Sequence, residues 1–173
     1  TTFTVTFTPV ANASFSVPLA FTTTDSSATT YNFAINGTGA GGLPEVAVIS
    51  SDSGSLTDGG SDAVSSATTL QAKTVTYTVV NTGNVDLTIS TPTANGGSTT
   101  NISGAVTYGS VSSQTVAKDT TATFTVTFTP ALNGAFSVPV SFVTNDSDEN
   151  PFNFNITGTA TGGAPEISVS SSE

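Results

Sequence analysis

Residues 123–130 read TFTVTFTP, and residues 2–9 read TFTVTFTP as well. In each copy Phe, Val and Phe alternate with threonine. An extended strand with this pattern carries one apolar face and one hydroxylated face, which predicts a half-buried β-strand rather than a helix. Aromatic and β-branched residues also suit a pleated surface better than a helical one. Because the stretch occurs twice, it belongs to a larger repeated unit.

The correspondence continues from these strands to the C-terminus at a constant offset of 121 residues. FSVP at 15–18 returns at 136–139, Thr23, Asp25 and Ser26 return as Thr144, Asp146 and Ser147, and Asn32-Phe33 returns as Asn153-Phe154. Gly37-Thr38 matches Gly158-Thr159, Gly41-Gly42 matches Gly162-Gly163, and Pro44-Glu45 matches Pro165-Glu166. Pro44-Glu45 follows the glycine-rich stretch in both copies and is taken as the start of a unit. The chain then divides into the C-terminal part of one repeat (1–43), a complete repeat (44–163) and the first strand of a third (164–173).

Alternating stripes fill the complete unit. Val75, Tyr77 and Val79 alternate with threonines; Val85, Leu87 and Ile89 follow the turn Asn81–Asn84; Phe136, Val138, Val140 and Phe142 form another stripe, and Phe152, Phe154 and Ile156 close the unit. Val46 and Val48 open it, and a weaker strand lies near Ala105–Tyr108. Seven or eight short antiparallel strands, each with one apolar face, are buried most economically as two sheets packed face to face. The expected fold is all-β, a tandem array of immunoglobulin-like antiparallel β-sandwich repeats with a period of 121 residues. Pro139 and its counterpart Pro18 fall inside a stripe. Proline cannot donate to a ladder, so that strand is expected at a sheet edge or at a bulge. Residues 1–43 carry strand signals at Thr2–Thr8, Phe15–Thr23 and Tyr31–Gly37, whose apolar stripes are expected to stand open.

Composition narrows function. The 173 residues contain two Lys or Arg against twelve Asp or Glu, a net charge of −10. Such a surface repels phosphate backbones and anionic lipid heads, so nucleic acid and membrane-surface partners are not expected. No apolar run approaches the length of a membrane span, so no membrane insertion of this segment is expected. Without cysteine there are no disulfides or thiolate metal sites, and without histidine the usual general base and the commonest transition-metal ligand are missing.

The remaining motifs are weak. Asp146, Asp148 and Glu149 lie together in the loop 145–150, and clustered oxygen ligands suit a hard cation such as calcium. The preceding copy keeps Asp25 but has Ser27 and Ala28 at the other two positions, so a solvated turn is the preferred reading. Asp52, Asp58 and Asp62 lie among Gly and Ser. Asp52-Ser53-Gly54 resembles half of an aspartic-protease site, but that chemistry needs two carboxylates sharing a proton, and no second triplet occurs; a mobile loop is expected. Sequons at Asn12, Asn36, Asn101, Asn145 and Asn155, and an acidic-Thr acceptor pattern at Asp119-Thr120-Thr121, are short matches in an Asn-, Ser- and Thr-rich chain. Only Lys73 and Lys118 could join a Lys–Asn crosslink, and both sit at polar strand ends. No catalytic, cofactor-binding or metal-binding residue is assigned, no cofactor is expected, and the chain is read as not an enzyme.

Taken in order, PEVAVISS, TYTVVNTGNVDLTIS, TFTVTFTP and TNDSDENPFNFNITGTA resemble the bacterial choice-of-anchor D repeat, a relative of the Hydin-type and major-sperm-protein-like immunoglobulin folds. The resemblance implies a large exported bacterial protein, repeated sandwiches on the cell surface, and a role as a stalk or adhesin shaft. It supplies no catalytic residues. The expected function is a structural extension module of an extracellular filament. The alternatives are a loop-based glycan- or protein-binding adhesion module and an accessory domain of a large secreted enzyme. Expected partners are adjacent repeats of the same chain and like chains in a filament, with surface glycans or receptors under the adhesion alternative. The absence of Trp, and the placement of most Phe on apolar stripes, favours shaft over reader. The five-residue link Gly39–Leu43 is short enough to restrict free tumbling between neighbours.

Overall fold

The computed structural model describes residues 2–9, 13–27, 29–163 and 169–170, so the expected first strand of a third repeat lies almost wholly outside the described residues. The chain divides into two compact units, residues 1–42 and 43–173.

In the first unit, β1 (Ser14–Thr22) and β2 (Thr30–Thr38) pair antiparallel from Ser14↔Thr38 to Thr22↔Thr30. The strand expected over Thr2–Thr8 is not formed: no ladder is assigned to residues 2–9. Side chains still hold this segment against the hairpin. Phe3 meets Phe21 at 6.1 Å between ring centroids, and Phe7 meets Phe15 at 5.1 Å. A strand needs a backbone partner as well as an apolar face, and none of the described residues in this unit supplies one.

The second unit is a sandwich. β3 (Val46–Ser50), β4 (Gly54–Leu56), β5 (Gly60–Ala63), β6 (Ala67–Thr68), β7 (Lys73–Asn81), β8 (Leu87–Thr88), β9 (Thr107–Tyr108), β10 (Thr115–Val116), β11 (Thr121–Phe128), β12 (Gly134–Phe142) and β13 (Phe152–Thr161) follow in order. One sheet has the order β4-β3-β7-β11-β9; the other has β12-β13-β5, with β6 also on β13. β8 and β10 form a separate two-stranded ribbon. The sheets meet through Tyr77 and Phe154 at 5.0 Å, Phe124 and Phe142 at 5.7 Å, and Phe128 and Phe136 at 5.2 Å. Each large side chain buried there contributes about 1.5–3 kcal/mol. Every stripe residue named above on β7, β11, β12 and β13 is buried. Val85 is the exception; it stays exposed, and only Leu87 and Ile89 of its stripe enter the core.

The expectation of a purely antiparallel sandwich needs correction. β5 and β6 run parallel to β13. β3 lies antiparallel to β7 in the first sheet. After β4 the chain turns at Thr57–Gly60, where Gly60 N–H donates to Thr57 O at 3.0 Å, and crosses to the second sheet. It arrives there travelling in the same direction as the last strand. This part of the chain thus supplies β3 and β4 to the first sheet and β5 and β6 to the second.

Pro139 lies on β12, the edge strand of its sheet, as proline's missing N–H requires. Beyond that edge, Ser137 and Ser141 exchange backbone hydrogen bonds with Thr100 and Thr93. Pro139 falls between them, and its carbonyl accepts the Tyr108 hydroxyl at 2.7 Å.

The two units share one local pattern. Phe15↔Gly37 in the first hairpin and Phe136↔Gly158 in the second are the same register shifted by 121 residues. A Cβ on either glycine would come within 2.7 Å of the facing phenylalanine ring. The glycine lets the ring lie flat across the partner strand.

Candidate functional site

One polar cluster of the second unit lies where the chain enters it, at Leu43-Pro44-Glu45. The turn after β7 clasps this segment. Thr82 N–H donates to Glu45 O at 2.9 Å, Asn84 N–H donates to Leu43 O at 3.0 Å, and Asn84 Oδ1 accepts Leu43 N–H at 2.9 Å. Asn81, fully buried at the end of β7, braces the turn: Oδ1 accepts Gly83 N–H at 3.0 Å, and Nδ2 donates to Val85 O at 2.7 Å and Val116 O at 2.9 Å. A Cβ at Gly83 would collide with Leu43 O and come within 2.5 Å of Glu45 N. The sequence marks Asn81–Asn84 as a turn; what it holds became visible only with the fold.

The loop 145–150 meets the same pole. Asn145 Oδ1 accepts Thr88 N–H at 2.8 Å and its Nδ2 donates to Asp86 O at 3.1 Å. Asp146 is buried, and its Oδ2 accepts Val46 N–H at 2.8 Å. These bonds bring Glu45, Asp146, Asp148 and Glu149 together, each with one carboxylate oxygen within 4.8 Å of the others. Three of the four were grouped from the sequence. Glu45 was missed, although its recurrence beside proline as Pro165-Glu166 was the available signal. Glu149 Oε2 is closed to solvent and has no hydrogen-bond partner among the described residues. Desolvation, then the Asp146, Asp148 and Glu45 charges, push its carboxyl up to about 7.

Chemically, four such oxygens can share a proton near neutrality or face a hard cation. The equivalent loop of the first unit closes differently. There Asp25 Oδ1 accepts Ser27 N–H at 2.9 Å and Ser27 Oγ–H at 2.7 Å. The Ser27 hydroxyl and backbone amide together hold the Asp25 carboxyl below its usual value. Closing this loop does not require extra carboxylates, and no cation is assigned to it.

A second polar cluster corrects the reading of residues 52–62 as a mobile loop. Asp62 is fully buried and accepts hydrogen bonds from Ser50 Oγ at 2.8 Å, Ser53 Oγ at 2.5 Å and Tyr77 Oη at 2.6 Å. Burial first, and the Asp62 hydrogen bond second, raise the Tyr77 phenol. Asp52 pairs with Lys73 at 3.1 Å across the start of β7. The pattern that could have revealed Asp62 is its place in Gly60–Ala63, where it alternates with the exposed Ser61 and Ala63. All three hydroxyls point at one carboxylate, so the cluster joins β3, β5 and β7 across the core. Two sequon amides are also engaged in backbone bonds: Asn145, as above, and Asn101, whose Nδ2 donates to Leu132 O at 2.8 Å.

No protein-family model matches the sequence, and no curated protein matches it. Among solved structures, the chain is similar to a protein of unknown function from Porphyromonas gingivalis W83, at 9% identity and a TM-score of 0.47, over 87% of this chain and 67% of that one. It is also similar to PapD-like domain 7 of human CEP192, an ASH/PapD-like domain, at 12% identity and a TM-score of 0.40, over 68% of this chain and 87% of that one.

Proposed function

We propose that this chain is a stretch of a tandem array of immunoglobulin-like repeats, of the choice-of-anchor D kind, with a period of 121 residues. Its function is structural: it extends a bacterial cell-surface filament or adhesin shaft. One observation carries the reading. Strand register, ring pairs and the phenylalanine-over-glycine contact of residues 1–42 all recur 121 residues later in a complete sandwich. Repeats of this kind contact mainly their neighbours and build a quasi-linear body.

The clasp on Leu43–Glu45 fits this role, because it holds the first residues of the sandwich on the turn after β7. The acidic, Lys-poor surface fits a body that stays apart from lipid heads and nucleic acids.

The test is shape against repeat number. Chains of two, four and six complete repeats are compared by small-angle scattering. An extension module gives a maximum dimension that rises by a constant increment per repeat, whereas a dimension growing as the cube root of mass defeats the proposal. Protease shaving of intact cells tests location: repeats that resist shaving until the cells are lysed are not on the surface.

A further inference from the structure

In the second unit, Phe124, Phe142, Phe152 and Phe154 are sealed in the core at 2% exposure each. Their equivalents Phe3, Phe21, Tyr31 and Phe33 are 64%, 43%, 55% and 41% exposed. The rings nevertheless keep the same neighbours. Phe3–Phe21 at 6.1 Å and 67° matches Phe124–Phe142 at 5.7 Å and 67°. Phe21–Tyr31 at 5.3 Å matches Phe142–Phe152 at 5.4 Å, and Tyr31–Phe33 at 6.2 Å matches Phe152–Phe154 at 6.3 Å. The face is assembled as a core face and left uncovered within the unit.

What covers it in the second unit is known. Tyr77 stacks on Phe124 at 5.1 Å and reaches Phe154 at 5.0 Å, and Val48, Val75, Val79, Leu87 and Val116 complete the core. All lie within residues 43–121. The same segment supplies the backbone partner: β7 pairs with β11 from Thr121↔Val80 to Phe128↔Lys73. Residues 2–9 have no such ladder. A lipid or a glycan could cover apolar rings but could not satisfy a row of strand amides and carbonyls. A second copy of the open face would bring its own Phe and Tyr rings but not the layer of Tyr77, Val75 and Val79 that fills the sealed core.

We infer that the open face of residues 1–42 is a docking surface for one occupant: an upstream segment of the same polypeptide with the strand pattern of residues 43–121. The inference rests on the tandem-repeat reading above, but not on the surface location or the extended shape. Phe3 and Phe33 receive the equivalent of Tyr77 between them. Phe3, Leu19, Ala20 and Phe21 line an open cleft of about 540 Å³ that the incoming side chains fill.

The experiment is to place a copy of residues 43–121 directly before Thr1 of the 173-residue chain and follow amide exchange. In the unextended chain, the amides of residues 3–8 exchange within about tenfold of unstructured rates; in the extended chain they slow by at least about 1,000-fold, approaching those of residues 124–129. A second extended chain carries Tyr77→Asp in the added copy only. It returns residues 3–8 to fast exchange while residues 124–129 stay protected. Fast exchange at residues 3–8 in the extended chain overturns the proposal. Slow exchange there in the unextended chain also overturns it: with a sedimenting dimer the occupant is a second copy, and with a monomer the face is already closed. Failure of the scattering or shaving tests with success here rejects the shaft role and leaves the docking surface standing.

Discussion

Residues 2–38 and 123–159 carry nearly the same strand sequences, the same hairpin register and the same ring contacts, yet only the second set is buried. What differs is what lies across from them. Where residues 43–121 supply β3, β7 and the loop strands, the phenylalanine stripe becomes a core and TFTVTFTP becomes β11. Where that layer is missing from the unit, the hairpin survives, but residues 2–9 keep only their side-chain contacts. A hairpin is local and closes through its own turn, whereas β11 depends on a strand some 50 residues away in sequence. The comparison separates the cooperative weight of local pairing from that of sheet-on-sheet packing.

The largest expected difference is at the phenylalanines. Phe124→Ala should destabilise the second unit by about 3–5 kcal/mol, whereas Phe3→Ala should stay within about 0.5 kcal/mol, as for a surface site. Urea denaturation of the two variants reads both values. Equal losses would mean that the first face is not open.

The glycines under the rings give the next test. Gly158→Ala forces a methyl into the Phe136 ring within a sealed core and should cost about 1–3 kcal/mol. Gly37→Ala makes the same contact with Phe15, which is only half-buried and has room to swing away, so a clearly smaller cost is expected. A larger loss at Gly37 would show that the hairpin, rather than the covering layer, holds the ring.

Tyr77→Phe probes the covering layer itself. It keeps the ring that fills the space between Phe124 and Phe154 but leaves the buried Asp62 short of one donor, for an expected loss of about 1–2 kcal/mol. Among the described residues, the first unit has no equivalent of this bond. A neutral outcome, read from the same denaturation curves, would mean that Ser50 and Ser53 suffice to hold the carboxylate.

The smallest effect concerns the paired loops. Glu149, with a folded value of about 7 against an unfolded value of about 4.3, binds more protons folded than unfolded between those limits. Its contribution is therefore complete below the unfolded value, and stability falls as pH rises through the folded value. Melting curves of the parent and of Glu149→Gln across that range should show a downward trend with pH that the variant lacks. Melting with and without a chelator should give the same midpoint; a drop of many degrees would establish a cation among Glu45, Asp146, Asp148 and Glu149.

The long strands β7, β11, β12 and β13, their buried faces and the edge-or-bulge place of Pro139 were legible because a pleated strand writes its orientation into a period of two, whereas the short β4, β5, β6 and β10 carry no such stripe and were not. The acidic group was legible only in part. Asp146, Asp148 and Glu149 are neighbours in the chain, whereas Glu45 joins them through Val46 N–H and Asp146 Oδ2, groups 100 residues apart. The Asp62 cluster escaped because its Gly- and Ser-rich surroundings resemble those of an exposed loop.

By itself the sequence determined the all-β class and which side of each strand is apolar. It also placed the same stripes 121 residues apart. These are properties of residue order, since alternation and recurrence survive without coordinates. Only the tertiary structure decided that β5 and β6 run parallel to β13, that Gly83 lies against Leu43–Glu45, and that TFTVTFTP joins a ladder as β11 but forms none at residues 2–9. Each of these depends on which distant backbone arrives as a neighbour. Two identical octapeptides therefore end in different states: burial and ladder pairing are completed by the partner strand, and the octapeptide does not contain it.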